Sequence, residues 1–222
     1  MKGAREYRRL VALVYGQTGS GKTVLARALL MERVKALGPA AVGVIVDTLQ
    51  EHIDVPAIAP ETFENFLGLD SRRGPRIVRV LLDTDDDFEQ FSTDLENSYT
   101  APTAGRKRRG PVVLMVDEVS YWSSPNKSTP GLSRLIRYGR HWQVDIIGVA
   151  RRPAETSREL SSQSTALYIV GGIAEPRDLA YMRQILPPAA MTISESIGRF
   201  HYLKYSTDRT YTLLPPVKIL GH

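Results

Sequence analysis

Short runs of β-branched and aliphatic residues alternate along the chain with longer segments whose apolar residues recur at helical spacing. The runs fall at 10–15, 42–47, 76–82, 112–116, 144–149, 166–170, 198–205 and 209–213, and the amphipathic segments at about 22–37, 61–67, 86–98, 131–141 and 175–185. Strand, helix and strand in succession is the pattern of βαβ units, so the chain predicts an α/β fold with a mainly parallel central sheet flanked by helices. Val112-Val113-Leu114-Met115-Val116 is apolar without alternation, as a strand covered on both faces must be. The last two runs behave differently. Phe200 to Tyr205 and Tyr211 to Leu214 are linked through Ser206-Thr207-Asp208, too short a path for a parallel crossover, and predict a C-terminal antiparallel hairpin at the sheet edge. Two stretches, Ala101 to Pro111 and Tyr121 to Pro130, interrupt the alternation as loops.

A length of 222 residues without internal repeats suits one domain over 1–222 with a sizeable core. Hydrophobic residues make up 42% and charged residues 24%, which excludes a disordered or collagen-like chain. The chain holds no cysteine, so disulfide frameworks, thiol nucleophiles and Cys-ligated metal sites are excluded together. No stretch approaches the ~18 consecutive apolar residues of a membrane span. Basic residues before Arg9 and the run Leu10 to Tyr15 imitate a signal peptide, yet the run is short and leads into a glycine-rich turn, so it reads as a buried strand.

That turn carries the strongest chemical signal. Gly16-Gln17-Thr18-Gly19-Ser20-Gly21-Lys22-Thr23 is a complete G-x-x-x-x-G-K-[ST] pattern with a strand before it and a helix after it. Glycines let successive main-chain N–H groups face phosphate oxygens, Lys22 brings a cation to the β and γ oxygens, and Thr23 offers a hydroxyl to Mg²⁺. A second acidic element follows the apolar run 112–116, where Asp117-Glu118 stands at the strand's C-terminal end. In a parallel sheet that end faces the ligand crevice. Asp117 is expected in the Mg²⁺ shell, as a Walker B aspartate, and Glu118 is expected to orient or deprotonate the attacking water. ATP and Mg²⁺ are therefore the expected cofactors, ATP by default, because no Asn/Thr-Lys-x-Asp guanine reader occurs.

A glutamate directly after the Walker B aspartate resembles the additional-strand, catalytic-glutamate (RecA-like) division of P-loop NTPases. The stretch from Leu132 through Arg137, Arg140 and His141 to Arg151-Arg152-Pro153 adds a more specific likeness. A helix ending in basic residues, a short turn, an apolar strand and a terminal Arg-Pro resemble the FtsK-HerA superfamily of DNA-pumping ATPases, above all its small viral genome-packaging branch. The resemblance runs from about residue 10 to 170 and implies a ring-shaped oligomer, commonly a hexamer, around double-stranded DNA. It implies that Arg140, or Arg137 one turn earlier, acts on a neighbouring subunit's nucleotide as an arginine finger, with a solvated basic face as the plain alternative. Both arginines are expected near the ligand-bearing end of the sheet. The family usually places a polar sensor before the Arg-Pro pair, and this chain has Arg151 there. Arg151 either contacts the γ-phosphate or packs against the acidic end of the sheet.

Three further clusters carry simpler readings. Arg106, Lys107, Arg108 and Arg109, set between glycines, suit the backbone of nucleic acid or a solubilising loop, with no base-reading motif beside them. Asp83-Thr84-Asp85-Asp86-Asp87 lies where acids cap a helix. His141 and Trp142 are expected to pack at a helix end. The function expected from motifs and resemblance together is Mg²⁺-dependent ATP hydrolysis driving double-stranded DNA, in viral genome packaging, in the host cytoplasm or at a virion vertex beside capsid or portal proteins. The alternatives are a plasmid or chromosomal pump of the same superfamily, a zonula-occludens-toxin-like phage export ATPase and, from another class, a slow nucleotide-dependent binding switch.

Overall fold

The computed structural model describes residues 7–67, 76–100 and 110–217. Its first half contains β1 (Val11–Gly16), α1 (Lys22–Leu37), β2 (Val42–Val46), β3 (Ala57–Ile58), α2 (Phe63–Leu67), β4 (Ile77–Val80), α3 (Asp85–Thr100) and β5 (Val112–Val116). There follow β6 (Ser123–Ser124), β7 (Lys127–Ser128), α4 (Pro130–Tyr138), β8 (Val144–Ala150), α5 (Arg158–Ser162), β9 (Ala166–Val170), α6 (Pro176–Met182), α7 (Pro188–Ser196), β10 (Tyr202–Ser206) and β11 (Tyr211–Leu214).

Nine strands form one sheet in the order β11-β10-β9-β1-β8-β5-β2-β4-β3. From β9 to β3 every pairing is parallel, while β10 and β11 add antiparallel at one edge. The parallel strands therefore end on a common edge, and β8 stands between β1 and β5. Each residue of β1, β2, β5, β8 and β9 is buried, which explains why these runs are apolar without alternation.

Successive side chains on one strand leave opposite faces, so each central strand feeds two cores. Ala12, Val14, Met115 and Val149 meet Leu25, Ala26, Leu30 and Val34 of α1 on one face. Leu13, Tyr15, Leu114 and Ile146 join Phe88, Phe91, Leu95, Leu132 and Leu135 of α3 and α4 on the other. Burying each large aliphatic or aromatic side chain contributes about 1.5–3 kcal/mol. At Gly43 helix and sheet approach so closely that a Cβ would stand 3.0 Å from Ile77 Cγ1 and 3.2 Å from Leu30 Cδ1.

The N-terminal edge of the sheet is pinned by charge. Arg9 donates to the carbonyls of Leu135 and Ile136, both at 2.6 Å, which caps the C-terminal end of α4. Asp145, fully buried in β8, accepts from Leu10 N at 2.6 Å, Arg33 Nε at 2.6 Å and the Tyr7 hydroxyl at 2.7 Å. Burial first, and the Asp145 charge second, push the Tyr7 hydroxyl's pKa upward.

Several boundaries differ from the sequence expectation. The strand expected from 198 begins at Tyr202, because Phe200 takes a left-handed backbone with φ +66°. The loop 121–130 contains the small β6–β7 hairpin. Helix α7 lies outside the expected segments: Pro188 occupies its first turn, where a missing N–H costs nothing. The acidic cluster caps α3 as expected, with Asp87 Oδ2 accepting from Thr84 N at 2.9 Å and Thr84 Oγ1 accepting from Asp87 N at 3.1 Å.

Candidate nucleotide site

The turn after β1 curls because Ser20 N donates to Gln17 O at 3.1 Å and Gly19 and Gly21 take φ of +75° and +93°. A residue with a Cβ is strained in that region. Gln17, Thr18 and Gly19 are exposed, whereas Lys22, the first residue of α1, is only 8% exposed. Among the described residues the Lys22 side chain has neither an ion pair nor a hydrogen bond, so a largely buried cation stands beside a helix N-terminus without an anionic partner. Phosphate supplies that partner chemically, since it satisfies both the ammonium and the free N–H groups of the turn.

Across β8 lies the acidic end of β5. Asp117, 6% exposed, is held from two sides: its Oδ1 accepts from Glu118 N at 3.1 Å, and its Oδ2 lies 2.9 Å from His52 Nε2. His52 is itself buried in the loop after β2, and that loop is anchored by Asp47. The Asp47 carboxylate accepts from Glu51 N at 2.9 Å, from His52 N at 3.1 Å and from Arg79 Nη1 at 3.0 Å. Thr48 Oγ1 accepts from Trp122 Nε1 at 3.2 Å. Neither Asp47 nor His52 was singled out from sequence, although Asp47 obeys the rule that identified Asp117: a carboxylate closing a continuous apolar strand.

Glu118 sits in a left-handed conformation, φ 50° and ψ 53°, which is uncommon for a residue with a side chain. Such strain concentrates at functional positions. Its Oε1 accepts from Arg151 Nε at 3.0 Å, and this hydrogen bond holds the Arg151 guanidinium above its ordinary pKa. Arg151 lies just past β8. It lines a crevice with Gly16 and Gln17 and, on its other side, a cavity of about 450 Å³ with Glu118 and Tyr121. Arg151 thus bridges the phosphate loop and the candidate general base.

The neighbouring Arg152-Pro153 pair is a clamp. Arg152 contacts Glu175 at 2.6 Å, Asp178 at 3.2 Å and Glu155 at 3.3 Å, and Asp178 Oδ1 accepts from Ala154 N at 3.0 Å. This ties the end of β8 to α6.

Thr23 and Asp117 are hard oxygen donors, and Mg²⁺ commonly takes one or two protein oxygens and completes its shell with substrate phosphates and water. The residues present fit that ion. Among the described residues no group of three or more His, Cys, Asp or Glu forms a competing cage.

Other expected site residues lie elsewhere. Arg137 and Arg140 were expected near the ligand-bearing end, but they precede β8 and so occupy the opposite, N-terminal edge of a parallel sheet. They also do not share a helix face, because α4 stops at Tyr138 and Arg140 lies beyond it. Arg137 Nε pairs with Glu159 Oε1 at 2.5 Å; Arg140 is exposed and has no ion pair among the described residues. Trp142 packs beside Tyr138, with ring centroids 6.1 Å apart, while His141 is exposed rather than packed. Arg106, Lys107, Arg108 and Arg109 lie outside the described residues.

No family model and no curated protein matches the chain. Solved structures do. The genome packaging NTPase B204 of Sulfolobus turreted icosahedral virus 2, in complex with ATPγS, matches with a TM-score of 0.75 and 19% identity, over 94% of this chain and 98% of that one. EccC of Thermomonospora curvata, solved with a signal sequence peptide, matches with a TM-score of 0.59 and 12% identity over 95% of this chain and 37% of that one. VirB4 of Thermoanaerobacter pseudethanolicus matches with a TM-score of 0.59 and 12% identity, over 94% and 90%. The chain accordingly has the P-loop NTPase fold, with the mainly parallel sheet that the sequence pattern predicted.

Proposed function

We propose that this protein hydrolyses ATP with Mg²⁺ and uses the cycle to drive double-stranded DNA, as a viral genome-packaging motor. The observation that carries the chemistry is the buried, anion-free Lys22 at the phosphate loop, facing the Asp117-Glu118 end of β5 across one intervening strand. Lys22 and the turn's N–H groups bind the polyphosphate. Thr23 and Asp117 would hold Mg²⁺, which would supply positive charge to offset that of the phosphates. His52 fixes the orientation of Asp117. Glu118 orients a water and takes its proton, and Arg151 determines where the Glu118 carboxylate points.

Packaging is favoured by fit: the TM-score is 0.75 for the packaging NTPase, against 0.59 for EccC and VirB4. No helix among the described residues is long and apolar enough to cross a membrane. The motor acts as a ring, hexameric by family likeness, with duplex DNA at its axis, and works in the host cytoplasm or at a capsid vertex.

Steady-state ATPase with and without linear duplex DNA tests the reading. Turnover that requires Lys22 and rises with DNA supports it. Turnover that is negligible in every condition would favour a nucleotide-dependent switch.

A further inference from the structure

On the β9–β10 side of the phosphate loop, away from Arg151 and Glu118, lies a cavity of about 270 Å³ lined by Val24, Leu25, Val170, Phe200, Tyr202 and Val217. Gly21 of the phosphate loop forms part of its wall. The Phe200 ring reaches that glycine so closely that a Cβ on Gly21 would stand 3.1 Å from Phe200 Cδ1. Phe200 is 45% exposed and is held with φ +66°, a strained conformation for an aromatic residue. The flanking chain fixes it there: His201 N donates to Gly198 O, and Gly171 N to His201 O, both at 3.0 Å. Arg199 stands over the ring, its Cζ 4.8 Å from the centroid, and one of its guanidinium nitrogens lies 3.8 Å from where a side chain on Gly19 would begin.

An exposed aromatic ring fixed at an energetic cost, against an apolar cavity, needs a flat apolar occupant to justify the strain. The phosphate loop supplies the identity. A nucleoside triphosphate whose phosphates lie over Gly19 to Lys22 carries a planar base at its other end, within reach of a cavity that shares Gly21. We infer that this cavity is the nucleobase site, with Phe200 as the platform on which the base stacks and Arg199 as a cation between ring and polyphosphate; the inference rests on the phosphate-loop reading above.

Its composition sets specificity. Among the described residues no amide or carboxylate side chain lines the cavity, and the Tyr202 hydroxyl is the single polar side-chain group there. Rejection by large factors requires a site whose buried polar groups are left unpaired by the wrong base. Stacking does not discriminate in that way, because every base has a π-face. The site therefore accepts GTP nearly as well as ATP.

Calorimetric titration of the parent, Phe200→Ala and Phe200→Trp with the Mg²⁺ complexes of ATP, GTP and inorganic tripolyphosphate tests this, with thermal melting to verify folding. The parent should bind ATP and GTP within about tenfold of each other, and Phe200→Ala should weaken both by on the order of tenfold while tripolyphosphate binds as before. Phe200→Trp should restore the loss. Unchanged ATP affinity in a folded Phe200→Ala, an equal loss for tripolyphosphate, or ATP preferred over GTP by about 10³-fold or more would overturn the base site alone. A parent that binds neither ATP nor tripolyphosphate would overturn the phosphate-loop reading, and this inference with it.

Discussion

Arg151 Nε lies 3.0 Å from Glu118 Oε1, which couples the residue just beyond the central strand β8 to the candidate general base beyond β5. The pair is the point where the phosphate loop and the acidic end of the sheet meet. Glu118→Gln should still bind ATP but hydrolyse it ~10²-fold more slowly or worse, since the amide keeps the shape and loses the base. Arg151→Ala should also slow turnover, and the double variant should be no slower than Glu118→Gln alone, because both changes remove one coupled unit. Single-turnover hydrolysis of the three variants measures the coupling, and additive losses would separate the two residues.

His52 should reveal itself through Mg²⁺ rather than through ATP. Its Nε2 lies 2.9 Å from Asp117 Oδ2, so it orients the carboxylate proposed to hold Mg²⁺. Loss of such an outer partner costs about 10- to 100-fold in metal affinity. His52→Ala is expected to raise the Mg²⁺ concentration for half-maximal turnover by that order, with tripolyphosphate affinity in the absence of metal unchanged. A lowered maximal rate at an unaltered Mg²⁺ midpoint would contradict the role.

How far the sequence carried this picture depended on whether a feature was local. Gly16 to Thr23 and Val112 to Glu118 were legible because loop chemistry, strand burial and terminal carboxylates all lie within one short stretch. The His52–Asp117 contact joins residues 65 apart and leaves no periodic trace. Arg137 and Arg140 were misplaced for a physical reason: residues that precede a parallel strand lie at its N-terminal edge, opposite the loops that follow it. Phe200 was read into a strand because aromatic alternation continues through it, and a positive φ leaves no mark on that pattern.

Position also sharpens the expectation for the trans arginine. Arg137 and Arg140, on the sheet edge opposite their own phosphate loop, can serve only a neighbour's nucleotide, and Arg140 is the one without an ion pair among the described residues. Arg140→Ala should bind ATP and hydrolyse it about 10³- to 10⁵-fold more slowly. Mixed with Lys22→Ala, it should recover part of the activity, since some interfaces then pair an intact Lys22 with an intact Arg140. Co-assembled mixtures that stay inactive, with per-subunit rates flat against protein concentration, would exclude a shared site.

The basic segment makes a prediction in salt. Replacing Arg106, Lys107, Arg108 and Arg109 with Ser should weaken duplex binding uniformly across sequences and flatten the slope of log affinity against log salt by about 3.6, or about 0.9 per phosphate contact. An unchanged slope would place the DNA contacts elsewhere.

Translocation itself is most directly measured by displacement of a triplex-forming strand from linear duplex DNA, followed by fluorescence, with ATP and Mg²⁺ present. The parent protein should displace the strand, and Lys22→Ala and Glu118→Gln should not. Full ATP turnover by the parent with no strand displaced at any protein concentration would contradict translocation.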